Sequence, residues 1–335
     1  MLFPPPLSPL PPGEGKIYFL RIHLIWIVEK GLEILIQNLL DIGAHLLASE
    51  IKNDWEDYGE VILKLGNHGI VPQEFSDQIK GMAGLRNILI HEYLRNDLNK
   101  LFDYLKYRLA DFILLPELWN IGFMSFDRYR NEAETQEGPT LTLLRALAKE
   151  LSCHLHTGSF VEKRGDHFYN SSFLLNPKGE ILGSYQKIHL FTYQSQEAEI
   201  LTPGTSITVI PTEFGNFGLA TCYDLRFPEF FRKMLDQGAE FFLISSAWPH
   251  PRLEHWLLLN RTRALENLSC LISSNCVGIN RGTRFVGHSL VVDPMGQILA
   301  GSNDEECIVW AEVNQHIILR ARAEFPALRD RVFKI

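Results

Sequence analysis

Three residues in the C-terminal two thirds of the chain stand where chemistry could be done. In "NFGLATCYDLRFPEFFRKMLDQGAE" (216–240) an apolar run climbs to Cys222, turns through "YDLRF" and meets Pro228 at the head of an amphipathic stretch. A cysteine at a strand-to-helix turn is held beside backbone N–H groups that can stabilise a thiolate and an oxyanion. A thiol nucleophile needs a base. No His falls within "TCYDLRF", and His189 and His288 are isolated in the sequence, which leaves a carboxylate at another strand end. Glu117 in "FILLPELW" follows a hydrophobic run directly, where a solvated loop carboxylate would not usually sit. A tetrahedral intermediate also needs a cation, and Lys187 in "GEILGSYQKIHLF" ends a strand among apolar and aromatic residues. Taken singly, each has a plain alternative: Cys222 as a small buried hydrophobe, Glu117 and Lys187 as surface charges.

The elements that must position these residues begin near residue 111. Short apolar runs alternate with turn signals: "FILLPE", "FLLNPKGEILGSYQK", "ITVIPTEFGNFGLATCYD", "AEFFLISSAW", "CLISSNCVGIN", "GHSLVVDPMGQILA" and "CIVWAEV". "NPKGE" and "DPMGQ" carry Pro and Gly as hairpin turns need them. Amphipathic helices are predicted at 139–152, 228–238 and 254–268. Strands interleaved with helices imply sheets with covered faces.

Residues 17–110 read as helices. "IVEKGLEILIQNLLDIGAHLLASE" (27–50) has a broad apolar face, "DYGEVILKLGNHG" (57–69) is a shorter helix ending at glycine, and Pro72 opens another. Residues 1–15 are Pro-rich and excluded from helix and central strand, so residues 1–26 are expected to be a disordered leader with an apolar lead-in. The longest apolar N-terminal run, "IYFLRIHLIWIV", contains an Arg and a His and is too short to span a bilayer. A formal net charge of −8 argues against a general polyanion binder, DNA included. Five cysteines with no C-x-x-C pair suit reduced thiols in a cytoplasm, not a disulfide framework or a zinc site.

Taken together, "LLPELWNIGF", "YQKIHLF" and "ATCYDLRFPE" resemble the nitrilase superfamily of carbon–nitrogen hydrolases, with further likeness in "HWLLLNRTRALEN", "GHSLVVDPMGQIL" and "FPALRDR". The resemblance covers residues 111–335. It implies an αββα sandwich and a Glu-Lys-Cys triad: Glu117 as general base, Lys187 as oxyanion stabiliser and Cys222 as nucleophile. It places a supporting glutamate at Glu197 and an oxyanion-hole N–H at Tyr223, and it requires no metal or cofactor. "CYD" looks like the amidase branches, and "CYDLRFPE" with "GHSLVVDP" looks closest to omega-amidase-like members acting on small acids with a terminal amide. "SSAWPHPRLEHW" departs from that pattern; Arg226, Trp248 and His255 are open to a pocket role or to packing and ion pairing.

The segment 27–110 is similar to the HepT family of HEPN-domain toxins in "EILIQNLLDIGAHLLAS", "LGNHGIVPQEF", "MAGLRNILIHEYL" and "LFDYLKYRLADF". This resemblance implies a metal-independent ribonuclease site built across a dimer. Arg86 would lie on phosphate, His91 would act as acid/base, and Tyr93 would be the residue that a nucleotidyltransferase antitoxin modifies with AMP. On spacing alone Arg86 and Tyr93 share a helix face and His91 lies well round from both.

The expected organisation is therefore α+β in two modules. A leader (1–26) and an all-α HepT-like segment (27–110) precede a nitrilase-like αββα sandwich (111–335) that lacks its usual first strand and helix. Helix 97–110 is expected to replace the missing helix. Three functions follow as expectations: hydrolysis of a small amide, toxin–antitoxin chemistry on RNA, or an inactive fusion of two truncated modules. Both families imply homo-oligomers.

Overall fold

The computed structural model describes residues 17–18, 58–74, 76 and 110–333. Arg86, His91, Tyr93 and the helix expected over 97–110 lie outside the described residues.

From Phe112 onward the apolar runs become strands of two sheets. The first sheet holds β2 (Phe112–Leu114), β3 (His154–His156), β4 (Phe160–Arg164), β5 (His167–Leu175) and β6 (Ile181–Gln186). β2 and β3 pair in parallel, and β5 pairs antiparallel with β3, β4 and β6. The second sheet has six strands: β7 (Val209–Thr212), β8 (Gly215–Thr221), β9 (Phe241–Ser246), β10 (Cys270–Asn275), β13 (Leu290–Val292) and β14 (Ile298–Gly301). Its centre, β8–β9–β10, is parallel, and its edges are antiparallel. β11 (Val277–Asn280) and β12 (Thr283–Val286) form a separate hairpin.

Every residue of β9 and β10 is buried. Strands that bury both side-chain sets must be covered on both faces, which is why these runs lack polar alternation. Between the sheets, Phe112 stacks on Phe217 at 5.0 Å and Phe217 on Phe241 at 4.8 Å. Three amphipathic helices supply the covering layers. α2 (Pro139–Leu151) buries Leu141, Leu144 and Leu147. α4 (Pro228–Asp236) buries Phe230, Phe231 and Met234, with Phe231 edge-on to Phe242 of β9 at 5.1 Å. α5 (Leu253–Asn267) buries Trp256 and Ala264. Between α2 and α4 lies the short α3 (Glu197–Ile200); α6 (Gln315–Glu324) is followed by a 3-10 turn (Pro326–Leu328).

Two regions differ from the sequence reading. Ile17–Tyr18, assigned to the lead-in, form β1 and pair antiparallel with β15 (Glu312–Val313). A strand therefore precedes the one carrying Glu117, although only two residues of backbone pairing mark it. β3 and β4 were also not foreseen. "HLH" has no strand-like apolar signature, because its two histidines are buried polar residues.

In the preceding segment, α1 (Tyr58–Asn67) forms as expected and buries Val61, Ile62 and Leu65. Gly69, two residues beyond it, has φ +70°, the left-handed conformation that favours glycine.

Candidate active site

Glu117 is delivered by the end of β2. Leu115 N–H still donates to His156 O (3.1 Å), and Ser159 N–H donates to Pro116 O (3.1 Å). Gly158 crosses so close beneath this strand end that a Cβ would collide with Pro116 O, and its φ is +65°. The chain then turns at Leu118, a fully buried residue at φ +45°. The turn aims Glu117 inward, away from solvent.

Lys187 follows β6, its N–H donating to Asn170 O of β5 at 2.9 Å. Its ammonium donates to Glu117 Oε1 (2.8 Å) and to both oxygens of Glu197 (2.9 Å each). All three side chains are buried. The carboxylates have further donors. Ala247 N–H reaches Glu117 Oε2 at 2.9 Å, and Phe191 N–H reaches Glu197 Oε2 at 2.7 Å. Asn170 Nδ2 bridges the two, donating to Glu117 Oε1 (2.9 Å) and Glu197 Oε1 (3.0 Å). Burial works against a charged Lys187, but the two carboxylates outweigh it and hold the ammonium protonated well above the ordinary lysine range. For Glu197 burial pushes the carboxyl up, opposed by Lys187. Leu118, Phe123, Tyr129, Val161 and Ala247 close an apolar shell around the cluster, with Lys187 Nζ 5.4 Å from the centre of the Phe123 ring.

Cys222 stands between β8 and a 3-10 turn (Cys222–Arg226), at φ +45°. A non-glycine residue in this region carries backbone strain that its surroundings must impose. Asp224 imposes it. Its Oδ2 accepts from Thr221 N–H (2.8 Å) and Tyr185 O–H (2.7 Å), and its Oδ1 accepts from His189 N–H (3.1 Å) and contacts His189 Nδ1 (2.7 Å). His189, isolated in the sequence, is thus tied to the Cys222 turn, with its ring stacked on Phe227 at 3.7 Å. Burial, reinforced by the Glu117 charge, pushes the Cys222 thiol well above the ordinary cysteine range, with Lys187, Ser246 and the Ala247 amide opposing. The resting group is a thiol. The Ala247 amide that holds Glu117 Oε2 also faces this thiol, so the carboxylate and the thiol converge on one backbone group. Tyr223, next to Cys222, sits at the start of the turn, where N–H groups have no partner within the turn.

Beside Tyr223 the walls are aromatic and cationic. The Arg226 guanidinium lies 4.9 Å over the Trp248 ring and donates to His255 Nδ1 at 3.1 Å. The three residues left open by the sequence are therefore one cluster. Asn170 and Arg252 were not singled out. An asparagine inside "HFYNSSFLL" reads as the polar face of a strand, and only the arrangement of β5 against the glutamates shows otherwise.

A strand-borne thiol, a buried ammonium and two carboxylates on a two-sheet sandwich define a hydrolase of carbon–nitrogen bonds. The chain matches the carbon–nitrogen hydrolase family over residues 86–322, most of its length, and belongs to it. It is 35% identical over 230 residues to a 2-oxoglutaramate amidase of Paenarthrobacter nicotinovorans, covering 66% of this chain and 78% of that one. It is 31% identical over 237 residues to the omega-amidase NIT3 of Saccharomyces cerevisiae, covering 67% and 81%. The crystal structure of Saccharomyces cerevisiae Nit3, a nitrilase-superfamily member, superposes with a TM-score of 0.67 at 30% identity, covering 73% of this chain and 92% of that one. A second match, to the ribonuclease HepT-like family, spans residues 19–118 and overlaps the first over 86–118. The chain is a fusion of the two. Among the described residues, no helix is long and apolar enough to cross a membrane.

Proposed function

We propose that the chain hydrolyses the terminal amide of a small carboxylic acid to the acid and ammonia through a thioester on Cys222. The observation that carries this is the buried bridge of Lys187 between Glu117 and Glu197, with the Cys222 thiol facing the amide that holds Glu117. Glu117 takes the thiol proton as sulfur bonds to the amide carbon. Lys187 and the Tyr223 N–H hold the oxyanion. As the C–N bond breaks, Glu117 returns the proton to the departing nitrogen and ammonia leaves a thioester. Glu117 then takes a proton from water as its oxygen bonds to the carbonyl carbon. Collapse breaks the C–S bond, and the proton returns to sulfur. Glu197 fixes Lys187 through both of its oxygens. The names of the relatives, 2-oxoglutaramate amidase and omega-amidase, support a terminal amide. The test is ammonia release from succinamate by the full chain: Cys222→Ala should abolish it, and retained release would overturn the assignment.

The HepT-like match supports a second activity in the preceding segment, RNA cleavage with Arg86 on phosphate and His91 as acid/base, and Tyr93 as the target of a nucleotidyltransferase partner. RNA cleavage lost in His91→Ala supports it; cleavage unchanged in that variant refutes it.

A further inference from the structure

The hairpin of β11 and β12 belongs to neither large sheet, yet it is bonded to the site at both of its ends. At its base, Cys276 N–H donates to Ser246 O (2.9 Å) and Val286 N–H donates to Trp248 O (3.0 Å). These bonds fall on either side of Ala247, whose N–H holds Glu117 Oε2. At its tip, β11 ends at Asn280, and a two-residue turn of Arg281 and Gly282 leads into β12. Asn280 is 6% exposed. Its side chain crosses to the segment that follows Glu117. Oδ1 accepts from Met124 N–H at 2.7 Å, and Nδ2 donates to Ser125 Oγ at 3.3 Å. The approach is close enough that a Cβ on Gly122 would stand 2.7 Å from Asn280 Nδ2.

Phe123 lies between the two positions that Asn280 touches, Gly122 and Met124. Its ring is the one 5.4 Å from the Lys187 ammonium. Residues 117–132 run as turns, with neither helix nor strand, so no ladder of backbone bonds fixes this ring. Its anchors are long-range: Asn280 on the Met124 amide, 156 residues away in the chain, and Tyr129 O–H donating to Phe123 O. An ammonium is attracted to the negative face of an aromatic ring, and the ring keeps water off it. In such a dry site each N–H of the ammonium counts for more when it meets a developing oxyanion.

We propose that Asn280 is a positioning residue for the hydrolysis: it fixes Phe123 over Lys187 and so keeps the ammonium dry and in place for the oxyanion. This rests on the oxyanion role given to Lys187 above. The hairpin thereby serves both charged partners of the site, the Ala247 amide of Glu117 at its base and the cover of Lys187 at its tip. Arg281, next to Asn280, also reaches this segment, through an exposed ion pair with Asp127. Exposed pairs contribute little, so Arg281 is the control for a general loosening of the tip.

The test is a double-mutant cycle on the full chain, read in ammonia release from succinamate, with Asn280→Ala, Phe123→Leu, the double variant and Arg281→Ala. Loss of a ring over a desolvated cation corresponds to about tenfold in rate. Each of the first two variants should lower kcat about tenfold and leave KM within about twofold, and the double variant should be no slower than the slower single one. Arg281→Ala should leave kcat unchanged. Effects that multiply in the double variant, a loss carried by KM, an equal loss in Arg281→Ala, or unchanged kcat in either single variant would overturn the proposal. Asn280→Ser, one bond shorter on the Met124 side, takes the place of Asn280→Ala should that variant not fold. Amide hydrogen exchange reads the tie without turnover. Met124 N–H should exchange at least about tenfold faster in Asn280→Ala and at the unmutated rate in Arg281→Ala. Equal exchange in all three proteins overturns the proposal. No ammonia from the unmutated chain would instead overturn the amidase reading, and faster Met124 exchange in Asn280→Ala alone would still uphold Asn280 as the residue that places Phe123.

Discussion

Lys187 bridges two buried carboxylates and is the oxyanion donor of the proposed mechanism, and a double-mutant cycle separates the two roles. Lys187→Met keeps the aliphatic stem and removes the ammonium. Glu117 Oε1 and Glu197 Oε1 lie 2.8 and 2.9 Å from Lys187 Nζ. They are therefore under about 6 Å apart, and once the ammonium is gone they repel by about 3 kcal/mol at an effective dielectric of about 20. Breaking a buried pair costs about 3–5 kcal/mol in all, because the stranded charge keeps its desolvation penalty. Glu197→Gln breaks the same pair from the other side, while Lys187 retains Glu117. The double variant loses that attraction once, so it should be more stable than the sum of the single changes by about 3–5 kcal/mol. Urea denaturation of the four proteins gives this coupling, and ammonia release from succinamate runs in parallel. Lys187→Met should lose at least about 100-fold in kcat, the scale of a missing oxyanion donor, and the double variant should not regain it. A coupling under about 1 kcal/mol, the range of exposed pairs, would refute the buried-bridge account. Recovered activity in the double variant would refute the oxyanion role.

Two further outcomes follow from buried groups outside the triad. Asn170→Ala removes the amide that bridges Glu117 and Glu197, two hydrogen bonds to charged groups of about 1.5–3 kcal/mol each; kcat for amide hydrolysis should fall by at least about tenfold, and unchanged kcat would exclude a positioning role. His156 is fully buried, its Nδ1 accepting from Gly158 N–H at 3.2 Å, and burial pushes its pKa down to about 3. Between that value and the unfolded value of about 6.5 the unfolded chain binds the extra proton, so stability falls as pH drops through this window, by about 2 kcal/mol at pH 5. Denaturation of unmutated protein and His156→Gln between pH 7 and pH 5 should show this difference closing; a constant difference would contradict it.

How much was legible in the sequence depended on whether a residue's neighbours in the chain are also its neighbours in the fold. Glu117 and Lys187 end apolar runs, so their chain context already marks them as groups held against a core. Cys222 sits at a visible strand-to-turn break. The three covering helices carried their own periodicity and formed within two residues of the predicted bounds. Glu197 had no local signal; only its likeness to a known family pointed to it, and its place is set by β5 and β6, not by "QEAEIL". Asn170 was missed because a strand buried on both faces hides its polar residues from any alternation rule. His189 and Asp224, 35 residues apart, meet only through the turn that strains Cys222. β1 left no trace because a two-residue pairing is too short to pattern a sequence.

The central claim is that Cys222 carries the acyl group. Succinamate mixed with the full chain and quenched in acid within one turnover should yield, by mass spectrometry, the peptide containing Cys222 heavier by one succinyl group, and no such adduct in Cys222→Ala. Ammonia release with Cys222 unmodified throughout, or an acyl group found on another residue, would contradict the account.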